Sequence, residues 1–410
     1  MKMKTKKLSA ATKVLIGLAA GVVVGLLTQN YADFMASYIK PFGDIYMNAL
    51  KMLIVPLVFS SLICGMSGMT DGKALGRIGV KGILLFICTT LVAAVFSLVI
   101  GNITHVGVGT GLSLEGVESM SVDVSSSPDL IKTIVNIIPT NPFAALSSGD
   151  MLQVIAFAMF VGFAITQVGP KAEIVLRFFE GFQSIMFKIS GMVMVFTPYA
   201  VFAMMASTVS KNGPKVFLPL LSFILVCYLC FILFMVVVYS TMVIGLGKMN
   251  PISFLKITKD AALLAFSTCS SSATIPTSLK CSEELGISEP VRNFMIPLGS
   301  SIHLDGAIIY QGITTIFLAN VMGGQLGLPQ QITLILTVML ASLGTAGAAG
   351  SSMIILSAVL TSVGIPVSGI GLVMGVDRLV DMPRTSLNVL GDIVCALVVD
   401  KSEKKEGFKS

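Results

Sequence analysis

The chain has 410 residues, 54% of them hydrophobic and only 12% charged, with a net charge of +6. An ordinary soluble domain carries about 25% charged residues, so this composition excludes a soluble globule and fits a polytopic membrane protein. The positive balance does not carry a nucleic-acid reading, because the basic residues stand at loops and termini rather than on a folded basic face.

Eight apolar segments approach or exceed the length of about 20 residues that a helix needs to cross hydrocarbon. They are 12–29, 47–69, 82–103, 151–169, 189–207, 216–246, 294–322 and 367–399. Met1 to Lys7 carries four lysines and no cleavage-site pattern, so Val14 to Leu27 is expected to be retained as the first span. Basic residues cluster before that span, then at Lys73, Arg77 and Lys81, at Lys248, Lys256 and Lys259, and at Lys401, Lys404 and Lys405. The stretch 104–130 is acidic (Glu115, Glu118, Asp123, Asp129) and holds no Lys or Arg. Positive-inside bias then places both termini in the cytoplasm, as an even number of spans requires. Seven cysteines lie mostly in apolar runs, and with two histidines and one CxxC (Cys227, Cys230) they do not spell a metal or redox site.

Two further segments do not read as simple spans. Over 260–280 a short apolar run, Ala261 to Phe266, meets the polar stretch Ser267 to Thr274 and then Pro276. Over 331–365 apolar arms flank the small-residue run Gly344 to Ser352. Each predicts a helix, a broken tip and a returning helix, the first entering from the cytoplasm and the second from outside. Paired interrupted segments of opposite orientation point to a secondary-transporter binding site near the midplane. Between Asn293 and Val376 the one Asp, Glu, Lys or Arg is Asp305, inside Gly299-Ser-Ser-Ile-His-Leu-Asp-Gly-Ala307. A carboxylate in such surroundings needs a partner, and a bound cation is a natural one.

In the last span Asp377, Asp381, Arg384, Thr385, Asn388 and Asp392 fall within roughly a 100° sector of a helix, so all six project from one face. Charges at membrane depth cost roughly 2.5 to 3.5 kcal/mol each, which makes this stripe a functional-site hypothesis rather than decoration. A buried structural network is the plain alternative; two broken hairpins beside the stripe argue against it.

These residues resemble the dicarboxylate/amino acid:cation symporters, the glutamate transporter family. The resemblance rests on Ser270-Ser-Ser272 at a re-entrant tip, Pro297-Leu-Gly299 leading to Asp305, Gly344-Thr-Ala-Gly347, and Asp381-Met-Pro-Arg-Thr-Ser-Leu-Asn-Val-Leu-Gly-Asp392, collinear over about residues 45–400. It implies an all-α fold of eight transmembrane helices and two oppositely oriented re-entrant hairpins, arranged as an inverted-repeat elevator and assembled as a homotrimer in the inner membrane. Residues 1–72 (spans 1 and 2) and 105–212 (spans 4 and 5 with the outer loop) would form the scaffold. The transport domain would comprise 73–104 (span 3) and 213–400 (span 6, first hairpin, span 7, second hairpin, span 8), with 401–410 as a cytoplasmic tail.

By the same resemblance Arg384 pairs with the side-chain carboxylate of an acidic amino acid, a task that suits its bidentate fork. Asp381 holds the amino group, Thr385 and Asn388 contact the amino and main carboxylate groups, and Ser270, Ser271, Ser272, Thr345 and Gly347 contribute from the hairpin tips. Asp392 and Asn388 with the carbonyls of Gly299 and His303 match one sodium site. Ser301, Ser342, Leu343 and Thr345 match a second, and Asp305 with Thr89 and Thr90 a third. Oxygen ligands without sulfur suit a co-transported alkali cation. Glutamate or aspartate symport with sodium is therefore the expectation.

Three departures stand out. His303 replaces the family's asparagine and puts a titratable ring beside Asp305, which makes proton coupling the runner-up. Ala307 replaces a threonine that assists side-chain recognition, which opens the way to dicarboxylates or to neutral and sulfur-containing amino acids such as cystine. Cys269 stands where some relatives carry a first-hairpin arginine, and Arg378 is expected to supply that charge instead. An intramembrane hydrolase using Ser270 to Ser272 with His303 and Asp305 is a weaker reading, since no nucleophile elbow accompanies them. A passive channel suits the two re-entrant loops, but not a site holding both Arg384 and Asp381.

Overall fold

Hydrocarbon offers no water to unpaired backbone N–H and C=O groups, so a chain of this composition closes its hydrogen bonds within helices or a barrel. A computed structural model, which describes residues 10–67, 73–110, 135, 137–342 and 351–405, has helices as its regular elements among those residues. In chain order they are α1 (Ala10–Leu27), α2 (Lys40–Ser67), α3 (Lys73–Thr104), α4 (Pro142–Ser148), α5 (Met151–Val168), α6 (Glu173–Met194), α7 (Thr197–Asn212) and α8 (Phe217–Phe234). There follow α9 (Pro251–Thr268), α10 (Ser271–Glu284), α11 (Glu289–Ile302), α12 (Asp305–Val321), α13 (Leu328–Ser342), α14 (Ser351–Ser362), α15 (Ile370–Met374) and α16 (Asp377–Lys405). The axis of α8 is carried on through a π-helical turn, Met235–Tyr239, to Gly245.

Six helical stretches among the described residues are long and apolar enough to span a membrane: Gln29–Cys64, Ile78–Thr104, Gln153–Met194, Thr197–Gly245, Glu289–Val321 and Asp377–Lys404. Thr12–Leu27, Leu328–Ser342 and Ser352–Ser362 are shorter apolar helices. Glu289–Val321 is wholly buried in its most apolar window, against 28% for Thr197–Gly245, so the former is the centre of the molecule and the latter a flank.

Helix boundaries depart from the apolar segments in three places. The expected span 189–207 is cut at Val195–Phe196, where α6 ends and α7 begins with Pro198 in its first turn, a position that needs no backbone donor. The span 294–322 begins earlier and breaks at His303 and Leu304, whose φ,ψ of −105°,97° and −126°,46° leave the helix. The span 367–399 begins as α15, and α16 restarts at Asp377.

Both expected hairpins have paired helical arms. Asn250 caps α9 by accepting from the Ile252 N–H (2.8 Å), with Pro251 at the first position. At the other end Cys269 adopts φ +51°, and Ser270 turns extended to cap α10, its Oγ accepting from the Ala273 N–H at 3.3 Å. The α9 and α10 arms pack on each other and on α16. The α13 and α14 arms pack on each other, on α12, and outward on α5; the tip expected at 344–352 lies mostly outside the described residues. Around the site, α12 packs on α3, α8 and α16.

Candidate functional site

The stripe on α16 folds into a charge cluster with Arg384 at its centre. Arg384 is 3% exposed, and its Nε and Nη2 lie 3.1 and 2.8 Å from Asp381 Oδ1 while Nη1 donates to Asp377 Oδ1 at 3.3 Å. Its guanidinium carbon stands 4.5 Å from the centroid of the Tyr310 ring on α12. Thr385 Oγ1 also donates to Asp381 Oδ1 (2.9 Å). Arg378 lies 3.5 Å from the other Asp381 oxygen and donates from Nη2 to the Thr268 carbonyl (3.3 Å), tying α16 to the end of α9 beside the first tip. Two carboxylates thus face two guanidinium groups, the neutral balance a membrane interior demands. In chemical terms the cluster offers a fork for a carboxylate and an acid for an ammonium, each exchangeable for its present partner.

A second cluster forms where α11 gives way to α12. His303 and Asp305 are fully buried and Asp392 nearly so. The His303 ring places Nδ1 3.0 Å from Asp392 Oδ1, and Nε2 3.1 Å from Asp305 Oδ2 and 2.8 Å from Thr89 Oγ1. Thr90 Oγ1 donates to Asp305 Oδ1 (3.2 Å), the Tyr239 hydroxyl donates to Oδ2 (3.0 Å), and Phe86 stacks on the imidazole with centroids 4.5 Å apart. Asn388 joins the two clusters: its Oδ1 accepts from the Gly306 N–H (2.7 Å) and satisfies a donor at the start of α12 that the helix break would orphan.

The structure therefore brings Asp381, Arg384, Thr385 and Asn388 together on one side, and Thr89, Thr90, His303, Asp305 and Asp392 on the other. Gly299 packs against the Asp392 carboxylate with no room for a Cβ. Ser270 is spent as a cap, Ser271 is buried, and Ser272 is exposed. Ser301 Oγ donates to the Pro297 carbonyl (3.3 Å) and Ser342 Oγ to the Met339 carbonyl (2.7 Å). Leu343, Thr345 and Gly347 lie outside the described residues.

A family model described as the sodium:dicarboxylate symporter family matches residues 10–402. The chain belongs to the sodium:dicarboxylate symporter family. Among curated relatives, the proton/sodium-glutamate symport protein of Geobacillus stearothermophilus is 37% identical over 97% of this chain and 95% of its own. The proton/glutamate-aspartate symporter of Escherichia coli (strain K12) is 35% identical over 98% and 95%, and the C4-dicarboxylate transport protein of Pectobacterium atrosepticum 32% identical over 93% and 90%. This member of the symporter family is thus a multi-pass membrane transporter and not an enzyme. The hydrolase reading falls with that.

Three contributors to these two clusters went unread in the sequence. Tyr310 and Phe86 are aromatic residues in apolar helices, where core packing is the ordinary expectation. Tyr239 reaches Asp305 from a π-helical turn, and such a turn leaves no mark in hydropathy. Asp377 belonged visibly to the stripe, but its pairing with Arg384 seven positions on needed the rotamer.

Proposed function

We propose that the protein imports acidic amino acids, glutamate or aspartate, together with sodium, across the inner membrane. The observation that carries this reading is the buried Arg384 held by Asp381 and Asp377 over the Tyr310 ring. An acidic amino acid replaces those internal partners group for group. Its side-chain carboxylate takes the Arg384 fork, its ammonium takes Asp381, and Thr385, Asn388 and the tips bearing Ser270 to Ser272, Thr345 and Gly347 hold its main carboxylate. The printed names of the Geobacillus and Escherichia relatives agree with this class.

Sodium enters where α13 ends at Ser342. The last carbonyls of a helix lack helical partners and carry its negative pole, so the end of α13 at Ser342 suits a cation, with Ser301, Leu343 and Thr345 as the further ligands that the resemblance implies, the last two outside the described residues. Cation binding there would preorganise the second hairpin, so that substrate closes the gate only on a loaded protein. Spans 3 and 6 to 8 with both hairpins move as the transport domain against a homotrimeric scaffold of spans 1, 2, 4 and 5, with both termini in the cytoplasm. Packing of α1 on α7, and of α2 on α5 and α6, supports that division.

Uptake of radiolabelled glutamate into proteoliposomes under imposed gradients tests the reading. An inward sodium gradient should drive accumulation that aspartate competes and neutral amino acids do not, and Arg384→Ala should abolish it. Accumulation driven by a proton gradient in the absence of sodium overturns the coupling, and unchanged acidic uptake in Arg384→Ala overturns the recognition.

A further inference from the structure

We propose that the His303 side chain occupies the place of a transported cation between Asp305 and Asp392, so that this carboxylate pair does not bind sodium in this protein. The inference rests on the symport reading above and sharpens it: coupling sodium binds elsewhere than at this carboxylate pair.

Most of the oxygens expected to serve a sodium ion here already have a partner within the chain. Asp392 Oδ1 faces His303 Nδ1 at 3.0 Å. Asp305 Oδ2 faces His303 Nε2 at 3.1 Å and the Tyr239 hydroxyl at 3.0 Å, and Oδ1 accepts from Thr90 at 3.2 Å. Thr89 Oγ1 lies 2.8 Å from Nε2, the Gly299 carbonyl accepts the His303 N–H at 2.8 Å, and Asn388 Oδ1 accepts the Gly306 N–H at 2.7 Å. A sodium ion needs several oxygens converging on one point. Here three of them, Asp392 Oδ1, Asp305 Oδ2 and Thr89 Oγ1, converge on the imidazole instead.

The ring is also fixed there. Phe86 stacks on one face at 4.5 Å with planes 20° apart. A Cβ at Gly391 would run into the His303 ring and the Tyr239 hydroxyl, and one at Gly299 into the Asp392 carboxylate, so the walls are already in contact. The ring turns one nitrogen to each carboxylate, so it fills the space between Asp305 and Asp392. Asparagine at this position, the residue that the resemblance gives for the family, is shorter and leaves room for an ion. His303 is in this sense a specificity-determining residue for the cation, acting by occupancy.

The test compares the full-length protein with His303→Asn in the same proteoliposomes, measuring labelled sodium and labelled glutamate taken up together. By linkage each further coupled ion steepens the sodium dependence of apparent substrate affinity by about tenfold per tenfold change in sodium. His303→Asn should therefore gain an additional sodium per substrate and the steeper dependence. An unchanged sodium-to-glutamate ratio and slope overturn the proposal. Should the variant fail to fold, thallium soaked into crystals of the unaltered protein decides. Anomalous signal at the second hairpin and none beside Asp305 or Asp392 supports it; signal between those two carboxylates overturns it. Absence of any glutamate uptake by the unaltered protein would instead sink the symport reading, and the thallium position would still report on His303.

Discussion

Asp381 accepts from three donors, Arg384 Nε, Arg384 Nη2 and Thr385 Oγ1, all at one oxygen, while its second oxygen faces Arg378. It steadies the Arg384 fork and, in the reading proposed above, receives the ammonium of the substrate. Asp381→Asn keeps the shape and removes the charge, so an amino acid loses its counter-ion while a simple dicarboxylate loses nothing. The ratio of glutamate to succinate uptake should fall at least about tenfold, equivalent to about 1.4 kcal/mol of discrimination. An unchanged ratio in competition assays would assign the ammonium to another group. Tyr310 contributes differently: a cation over a desolvated ring gains on the order of 0.5 to 2 kcal/mol, so Tyr310→Leu should weaken glutamate binding about threefold to thirtyfold. Tyr310→Phe, which keeps the ring face, should change it far less. At this scale the sequence was legible wherever a charged residue stood in an apolar run, as Arg384 and Asp305 do. Tyr310, Tyr239 and Phe86 were not, because an aromatic side chain in hydrocarbon needs no special explanation until its neighbour is known.

Pro383 interrupts α16 without breaking it. Proline has no N–H for the carbonyl of Leu379, and the Tyr228 hydroxyl on α8 donates to that carbonyl at 2.8 Å. The vacancy in one helix is thus filled by a side chain from another, beside Asp381. Tyr228→Phe should orphan the carbonyl and lower stability by about 1 to 3 kcal/mol. In a Pro383→Ala background the restored N–H satisfies Leu379, and the same change should cost less than about 0.5 kcal/mol. A double-mutant cycle on thermal denaturation in detergent checks this, and equal costs in both backgrounds would refute it. Gly391, facing the same core, leaves no room for a methyl between Tyr239 and His303. Gly391→Ala should destabilise by about 1 to 3 kcal/mol through overpacking, read as a lowered denaturation midpoint. Sequence periodicity located these helices and the paired hairpin arms. It missed the breaks at Val195–Phe196 and His303–Leu304, because hydropathy sums over a window and a helix ends at single residues.

Across the whole molecule, separate chain segments meet at one end through charge. Lys81 at the start of α3 pairs with the buried Glu403 at 2.8 Å, and Lys404 donates to the Gly286 carbonyl at 2.8 Å and pairs with Asp400. Asp400 in turn accepts from the Ser288 N–H at 2.9 Å and from its Oγ at 2.6 Å. The beginning of α3, the α10–α11 turn and the end of α16 therefore share one face, which the proposed orientation places in the cytoplasm on account of its lysines. The acidic stretch holding Glu115, Glu118, Asp123 and Asp129 follows the far end of α3, about 32 residues of helix away, and that helix is long enough to cross the hydrocarbon about 30 Å thick. In a variant with the seven native cysteines replaced, a cysteine at Ser121 should react in whole cells with a membrane-impermeant maleimide. A cysteine at Ser410 should react only after the cells are opened. Labelling of both from outside would separate the lysine-rich face from the cytoplasm and overturn the proposed orientation. Labelling of neither in intact cells would place both positions inside and require an even number of crossings between them, against the odd number proposed.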